Sequence, residues 1–121
     1  MATADALCGV GFSAQAAERL GQNYSALTCA GTTQAAAAKV LTKNVELTAA
    51  GGATGAVIPT TAEIMDVYYF FNSSATTAVV YAPTSTTLNG AASTTGLSVA
   101  QNKAAFFFQY KKGAWASVLT A

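Results

Sequence analysis

The chain has 121 residues, the material of one domain, which excludes a two-domain enzyme with a cleft between its lobes. It contains no histidine and only five acidic residues, so the commonest general base and metal ligand is missing. The net charge of +1 creates no field that would attract nucleic acid. The composition therefore predicts no catalytic residues, no cofactor, no metal and no nucleic-acid partner.

The low content of charge predicts an assembly. Charged residues are 9% and apolar residues 52% of the chain, whereas an ordinary soluble domain has about 25% charged residues. A small domain buries only about 60 to 70% of the surface of its unfolded chain, so large uncharged faces would meet water unless other chains covered them. No apolar run approaches the roughly 18 residues of a membrane span. We therefore expect obligate assembly and no membrane partner.

Residues 1–33 are predicted to form an N-terminal helical arm and a linker. Thr3 and Ser13 are suitable N-caps for two short helices, and glycines follow both. The apolar side chains of the arm are Leu7, Val10, Phe12 and Leu20. Because helices of one or two turns are unstable alone in water, the arm should dock on its own body or on a neighbour. Asp5 stands where a signal peptide would carry lysines, so we expect the chain to stay where it is made.

Residues 34–121 are predicted to form a β body, although the alanines at 35–38 would prefer helix by propensity. The predicted strands lie near residues 44–47, 57–58, 65–71, 77–81, 86–88, 97–99, 104–110 and 115–119, with turns at Gly51-Gly52, Asn72-Ser73-Ser74, Asn89-Gly90 and Lys111-Lys112-Gly113. Short strands separated by such turns predict an all-β fold, an antiparallel β-sandwich or jelly-roll-like body. No fixed period links the segments, which argues against a repeat solenoid.

Two of these strands are apolar on both faces. In residues 65–71, Tyr68 and Phe70 oppose Tyr69 and Phe71, and residues 104–110 show the same pattern. Since a two-layer sandwich has one core, the second apolar face predicts a subunit interface; the alternative is cover by the N-terminal helices. The residues expected in the core or in an interface are Tyr68, Phe70, Tyr81, Phe106, Phe107, Phe108 and Tyr110. Alternation does not say which face does which.

The remaining candidates for chemistry are weak. Cys8 and Cys29 lack metal or redox spacing, so they are either two reduced small hydrophobes or a disulfide. Glu63 and Asp66 are expected to be solvated acids on opposite sides of a strand entrance.

Three aromatic residues offer a function that needs no acid or base. Tyr81, Tyr110 and Trp115 could form a platform on which a sugar stacks. The competing interpretation places them in the core or in an interface.

From residue 31 to the C-terminus, the order of short turn and strand motifs resembles the head decoration, or cement, proteins of tailed bacteriophages. The motifs are Gly31-Thr32-Thr33-Gln34, Val57-Ile58-Pro59, Asp66-Val67-Tyr68, Asn72-Ser73-Ser74-Ala75, Val80-Tyr81-Ala82-Pro83, Leu88-Asn89-Gly90, Leu97-Ser98-Val99-Ala100, Lys103-Ala104-Ala105 and Gly113-Ala114-Trp115. The helical opening is also similar to the arm that some of these proteins carry. The departures are the two cysteines and Met65, where a glycine before the aspartate is common.

The resemblance implies a structural virion protein without enzymatic activity. Such a protein binds the outside of an icosahedral head as a homotrimer, stabilises the shell and is assembled in the host cytoplasm. Its partners would be the major capsid protein, gripped by the apolar arm, and its own copies. The alternative is a head-fibre or adhesin-like module that binds carbohydrate.

Overall fold

The computed structural model describes residues 24–120, and their regular structure is almost all strand. The strands are β1 (Tyr24–Thr28), β2 (Ala38–Lys39), β3 (Asn44–Thr48), β4 (Gly55–Val57), β5 (Val67–Asn72), β6 (Ala78–Tyr81), β7 (Thr87–Leu88), β8 (Ala91–Ala92), β9 (Leu97–Val99), β10 (Ala104–Lys111) and β11 (Ala114–Leu119). A 3-10 helix, Ser93–Thr95, precedes β9. The prediction of a mainly β body is confirmed, whereas the predicted helical arm lies outside the described residues.

The first six strands wind as a β-solenoid. Strands β1, β3 and β5 lie parallel in one sheet, and β2, β4 and β6 lie parallel in a second sheet. The chain therefore alternates between the sheets and adds one strand to each per coil. The predicted antiparallel arrangement is wrong for this part of the chain, and so is the exclusion of a solenoid.

Unequal coils explain why the sequence shows no period. In the first sheet, Tyr24 pairs with Asn44 and Asn44 with Tyr69, so successive coils are 20 and 25 residues long. In the second sheet, Ala38 pairs with Ala56 and Ala56 with Val80, which gives coils of 18 and 24 residues. Loops of different length thus hide a repeat that only the strand pairing reveals.

The later strands extend both sheets with mixed directions. The large sheet has the order β1-β3-β5-β10-β11-β7-β8, and the small sheet has the order β2-β4-β6-β9. Strand β10 runs antiparallel to both β5 and β11. The Asn89-Gly90 turn between β7 and β8 was correctly predicted: both residues have positive φ, 52° and 83°, as the favoured two-residue hairpin turn requires.

One core lies between the two sheets. Its largest fully buried side chains include Trp115, Phe70 and Phe107 from the large sheet and Val80 and Val99 from the small sheet. The ring of Phe107 meets the ring of Phe70 edge to face, with centroids 5.4 Å apart. These rings fill the space where β5 and β10 face the small sheet.

The N-terminal boundary of the body differs from the prediction. Residues 24–28, expected in the linker, form β1 and pair along their whole length with β3. The alanine run does not form a helix: residues 34–37 make a turn, and β2 begins at Ala38. Only Ala38 of the run pairs in a strand, with Ala56 of β4, so the weak helix preference of alanine does not determine this segment.

Candidate interaction surface on the large sheet

Alternation along β5 and β10 sorts the predicted aromatic residues onto two faces. Tyr68, Phe70 and Phe107 are buried in the core. Phe106 and Tyr110 are exposed, and Phe108 is half-buried. The structure thus identifies the core face, which the sequence could not do.

The outer face of the large sheet carries large apolar side chains on β5, β10 and β11, and Tyr24 on β1 is separated from them by Asn44 and Glu46 on β3. We call it the aromatic face, and its members are Tyr24, Tyr69, Phe71, Phe106, Phe108, Tyr110 and Val118. Phe106 lies at its centre, because the register places it opposite Tyr69 on one side and Val118 on the other. Its ring centroid is 6.1 Å from that of Tyr69 and 6.5 Å from that of Phe108. Phe106 is 37% exposed and Tyr69 is 50% exposed.

A shallow groove of about 420 Å³ crosses this face. It runs past Tyr24 on β1, Glu46 on β3, Tyr69 and Phe71 on β5 and Phe106 on β10. Among residues 24–120, Glu46 is the one charged side chain that lines it. The groove therefore favours an apolar occupant.

Two hydroxyl groups already satisfy the carboxylate of Glu46. Tyr24 donates its hydroxyl to Oε1, and Ser73 donates to Oε2 over 2.6 Å. The hydrogen bond from Ser73, followed by that from Tyr24, holds the pKa of Glu46 below its ordinary value. The same carboxylate raises the pKa of Tyr24, since loss of its proton would break the bond. The groove thus contains a negative charge that needs no cation from a ligand.

The outer face of the small sheet is covered by the chain itself. Tyr81 is buried there with Val57 and Ala37, and its hydroxyl donates to the carbonyl of Thr32 over 3.1 Å. The segment at Gly96 packs so closely that an added Cβ would lie 2.6 Å from Val79 Cγ1. Tyr81 therefore belongs to a second, smaller buried cluster on this face and not to the core between the sheets. No described residue covers the aromatic face in this way.

The three rings of the sugar-platform alternative do not share one surface. Trp115 is fully buried and Tyr81 is 5% exposed, while Tyr110 is 49% exposed on the aromatic face. The indole Nε1 of Trp115 has no hydrogen-bond partner among residues 24–120. Sequence alternation could not show that loops cover Tyr81 or that the two sheets enclose Trp115.

Of the two acids that precede β5, Asp66 has side-chain partners and Glu63 is exposed. Asp66 forms an ion pair with Lys43, with 3.2 Å between Oδ1 and Nζ, and its Oδ2 accepts a hydrogen bond from the backbone N of Glu63. Met65 has a φ of 73°, a left-handed conformation that favours glycine. This is the position at which the resemblance leads us to expect a glycine.

The one cysteine in the described part of the chain is buried. Cys29 lies in the core at 3% exposure, and burial raises the pKa of its thiol. This burial is compatible with both predicted alternatives, a reduced small hydrophobe and a disulfide. Cys8 and the arm residues Leu7, Val10, Phe12 and Leu20 lie outside the described residues.

Tyr24 and Glu46 were not predicted as parts of this surface. They are 22 residues apart, and only the parallel pairing of β1 with β3 brings them together. Tyr69 and Phe71 were visible in the alternating pattern but could not be assigned to a face.

Comparisons with known proteins give no family. No protein-family model and no curated protein matches the chain. A solved structure described as "Structure of a chaperone-substrate complex" aligns with a TM-score of 0.44 and 17% identity, covering 79% of this chain and 16% of that chain. The chain thus spans less than a fifth of that protein's length. Within residues 24–120, no helix is long and apolar enough to cross a membrane.

Proposed function

We propose that this chain is a structural virion protein, a decoration or cement protein that binds the outside of an icosahedral phage head as a homotrimer and stabilises the shell. The observation that carries the proposal is the aromatic face, an apolar surface of a kind that marks interaction sites. The order of the motifs from residue 31 onward supports the same family. Two sheets around one core suit the sandwich part of this proposal, and the N-terminal helical arm belongs to it as well.

The proposed mechanism is stabilisation by binding across capsomer boundaries. In this mechanism, the arm of each copy binds the major capsid protein through Leu7, Val10, Phe12 and Leu20. The three β bodies associate and so bring three arms together. Each arm binds weakly alone, but trimerisation gives the second and third arms a high effective concentration. The shell gains stability because the protein binds the assembled head. No catalytic step, cofactor, metal, membrane or nucleic acid is part of this mechanism.

The proposal is tested on heads purified from a phage whose genome encodes the chain. We expect mass spectrometry to find the chain on intact heads and mild denaturant to strip it. The purified chain should rebind stripped heads to saturation and raise their melting temperature. Its absence from purified heads, or rebinding without saturation, would contradict the proposal.

The role of the arm is tested by deleting residues 1–21, which removes none of the described strands. Circular dichroism should retain the β spectrum, while rebinding to stripped heads should fall at least tenfold. Loss of the β spectrum would show that the arm belongs to the fold rather than to docking.

The carbohydrate-binding alternative would have to use the aromatic face, where tyrosine and phenylalanine rings border the Glu46 carboxylate. A glycan array separates the two functions. Specific glycan binding that Tyr69→Ala abolishes would favour the alternative, and silence together with head binding would favour decoration.

A further inference from the structure

The turn between β7 and β8 contains an asparagine in the sequence context that most favours deamidation. In this reaction the backbone N of the following residue attacks the asparagine Cγ, and glycine hinders the attack least because it has no side chain. Asn89-Gly90 is the one Asn-Gly pair of the chain. Both residues are exposed, and nothing lies within 4 Å of the position that a Cβ of Gly90 would take. Water and base therefore reach the reacting atoms.

The closed turn keeps the reacting atoms apart. Asn89 and Gly90 have positive φ, 52° and 83°, which is the left-handed conformation of a two-residue hairpin turn. In this conformation ψ is about +47°, and tetrahedral geometry at Cα then places the Cβ of Asn89 nearly trans to the backbone N of Gly90. The five-membered ring that forms during deamidation needs these two atoms cis about the Cα–C bond. Asn89 therefore cannot react until the turn opens.

Two hydrogen bonds to Ser117 hold the turn closed on β11. The Oδ1 of Asn89 accepts from the backbone N of Ser117 over 3.0 Å, and its Nδ2 donates to the Ser117 Oγ over 2.8 Å. The backbone N of Asn89 also donates to the carbonyl of Trp115 over 2.8 Å. These bonds matter because β7 pairs with β11 over only two residues of each strand. The side chain of Asn89 thus extends a short strand contact to Ser117.

We propose that Asn89 is a deamidation site that the fold keeps unreactive, with Ser117 as the residue that restrains it. When the turn opens, the backbone N of Gly90 bonds to the Cγ of Asn89, the bond from Cγ to Nδ2 breaks, and ammonia leaves with the amide proton of Gly90. Water then opens the ring at either of its carbonyl carbons. Addition at Cγ restores the main chain with aspartate at position 89, whereas addition at the backbone carbonyl carbon gives isoaspartate.

The two products should differ in their effect on the fold. An aspartate carboxylate accepts hydrogen bonds from both the backbone N and the hydroxyl of Ser117, so the turn can close again. Isoaspartate adds a methylene group to the main chain of a two-residue turn, so β7 and β8 lose their register. Leu88, next to the turn, is 3% exposed in the core. Isoaspartate should therefore loosen one edge of the large sheet together with a core contact.

The test follows deamidation of the full-length protein in mildly alkaline buffer by peptide mass spectrometry that separates aspartate from isoaspartate. The wild type is measured folded and in urea, and Ser117→Ala is compared with Ser98→Ala. Ser98 is the matched control, since it is an exposed strand serine in the other sheet. Circular dichroism verifies that both variants are folded.

We expect folding to slow deamidation of Asn89 at least about tenfold, because only the open turn reacts. Ser117→Ala should speed the reaction about threefold to tenfold, since one of the two side-chain hydrogen bonds is lost, and Ser98→Ala should not change it. Asn102 is an internal control in every sample. It also has positive φ, but it precedes Lys103, whose side chain hinders the attack, so it should stay unmodified.

Hydrogen exchange on the wild type provides a second measurement that needs no variant. The backbone N–H of Ser117 donates to the Oδ1 of Asn89, so its exchange measures the fraction of time for which the turn is open. The deamidation rate of the folded protein should equal the rate in urea multiplied by this open fraction. A much faster rate would show that Asn89 reacts in the closed turn and would overturn the proposal. Less than tenfold protection by folding, or equal rates in Ser117→Ala and Ser98→Ala, would also overturn it.

Discussion

Phe106 and Phe107 are neighbours in β10 and lie on opposite sides of the large sheet. Phe107 is fully buried against the edge of Phe70, whereas Phe106 is part of the outer face beside Tyr69. Adjacent residues of one type thus lie in different environments: Phe107 in the core between the sheets, and Phe106 on the exposed outer face.

Alanine substitutions at the two positions should therefore differ in their effect on stability and on the concentration dependence of melting. Phe107→Ala empties a core site and should lower the free energy of unfolding by about 3–5 kcal/mol at every protein concentration. Phe106→Ala should lower the stability of the single chain by only about 1 kcal/mol, from lost aromatic contacts, and make melting depend on concentration. Thermal melts over a hundredfold range of concentration check this. Identical behaviour of both variants would contradict the assignment of faces.

Substitution of Gly96 should lower the stability of the fold, because the backbone at Gly96 packs closely against Val79 and Tyr81 of the small sheet. At φ 67°, an added Cβ would meet Val79 Cγ1 at 2.6 Å and Tyr81 Cε1 at 2.9 Å. Gly96→Ala should cost about 2–4 kcal/mol from backbone strain and overpacking. Gly90→Ala is the control, since Gly90 also has positive φ but nothing within 4 Å, and it should cost about 1 kcal/mol. Equal losses in urea unfolding would show that the packing over Tyr81 is loose.

Met65→Gly should stabilise the protein. The residue has a φ of 73° and its side chain is 76% exposed, so glycine removes strain while little burial is lost. We expect a gain of about 0.5–1 kcal/mol, the relief of left-handed strain less the entropy that glycine adds to the unfolded chain. Met65→Ala keeps the strain and should change the free energy of unfolding by less than about 0.5 kcal/mol. A loss of stability in Met65→Gly would contradict this account of the turn.

The buried amide of Asn72 should be essential to the end of β5. Its Nδ2 donates to the carbonyls of Thr76 and Val99, and its Oδ1 accepts from the backbone N and the hydroxyl of Ser74. Asn72→Leu keeps the volume but leaves these groups without partners in the interior, which should cost about 2–4 kcal/mol. Ser74→Ala removes part of the network and should cost about 1 kcal/mol. A neutral Asn72→Leu would show that water replaces the amide.

The carboxylate of Glu46 should titrate below the ordinary glutamate pKa of about 4.3. Because the bonds from Ser73 and Tyr24 favour the ionised form, the folded pKa is lower than the unfolded one. The network therefore contributes stability above about pH 4.3, and this contribution disappears as the pH falls through the folded pKa. NMR titration of the Glu46 carboxyl should show its pKa rising toward the ordinary value in Ser73→Ala. An unchanged pKa would mean that Ser73 does not hold the carboxylate in solution.

Strands and turns that depend on neighbouring residues were predicted correctly from alternation and from turn residues. Residues 104–110 alternate and end at a lysine-glycine turn, and β10 occupies nearly that range. Asn89-Gly90 likewise specifies its turn by its own φ preferences. These features needed no knowledge of distant partners.

Pairing between distant strands could not be predicted in the same way. The parallel coils are unequal in length, so no sequence period marks them. The sequence of β1 alone is typical of a linker, and its strand is recognised only by its pairing with β3. The aromatic face was predicted in part. Alternation showed that two strands are apolar on both faces, but only the position of the small sheet shows which face is buried. Tyr24 and Glu46 had no sequence pattern that joined them.

Electron cryomicroscopy of stripped heads, before and after rebinding of the full chain, tests the central claim most directly. We predict added density outside the shell in groups of three. Density for isolated copies, density inside the shell, or no added density under conditions where the chain is folded would contradict the account.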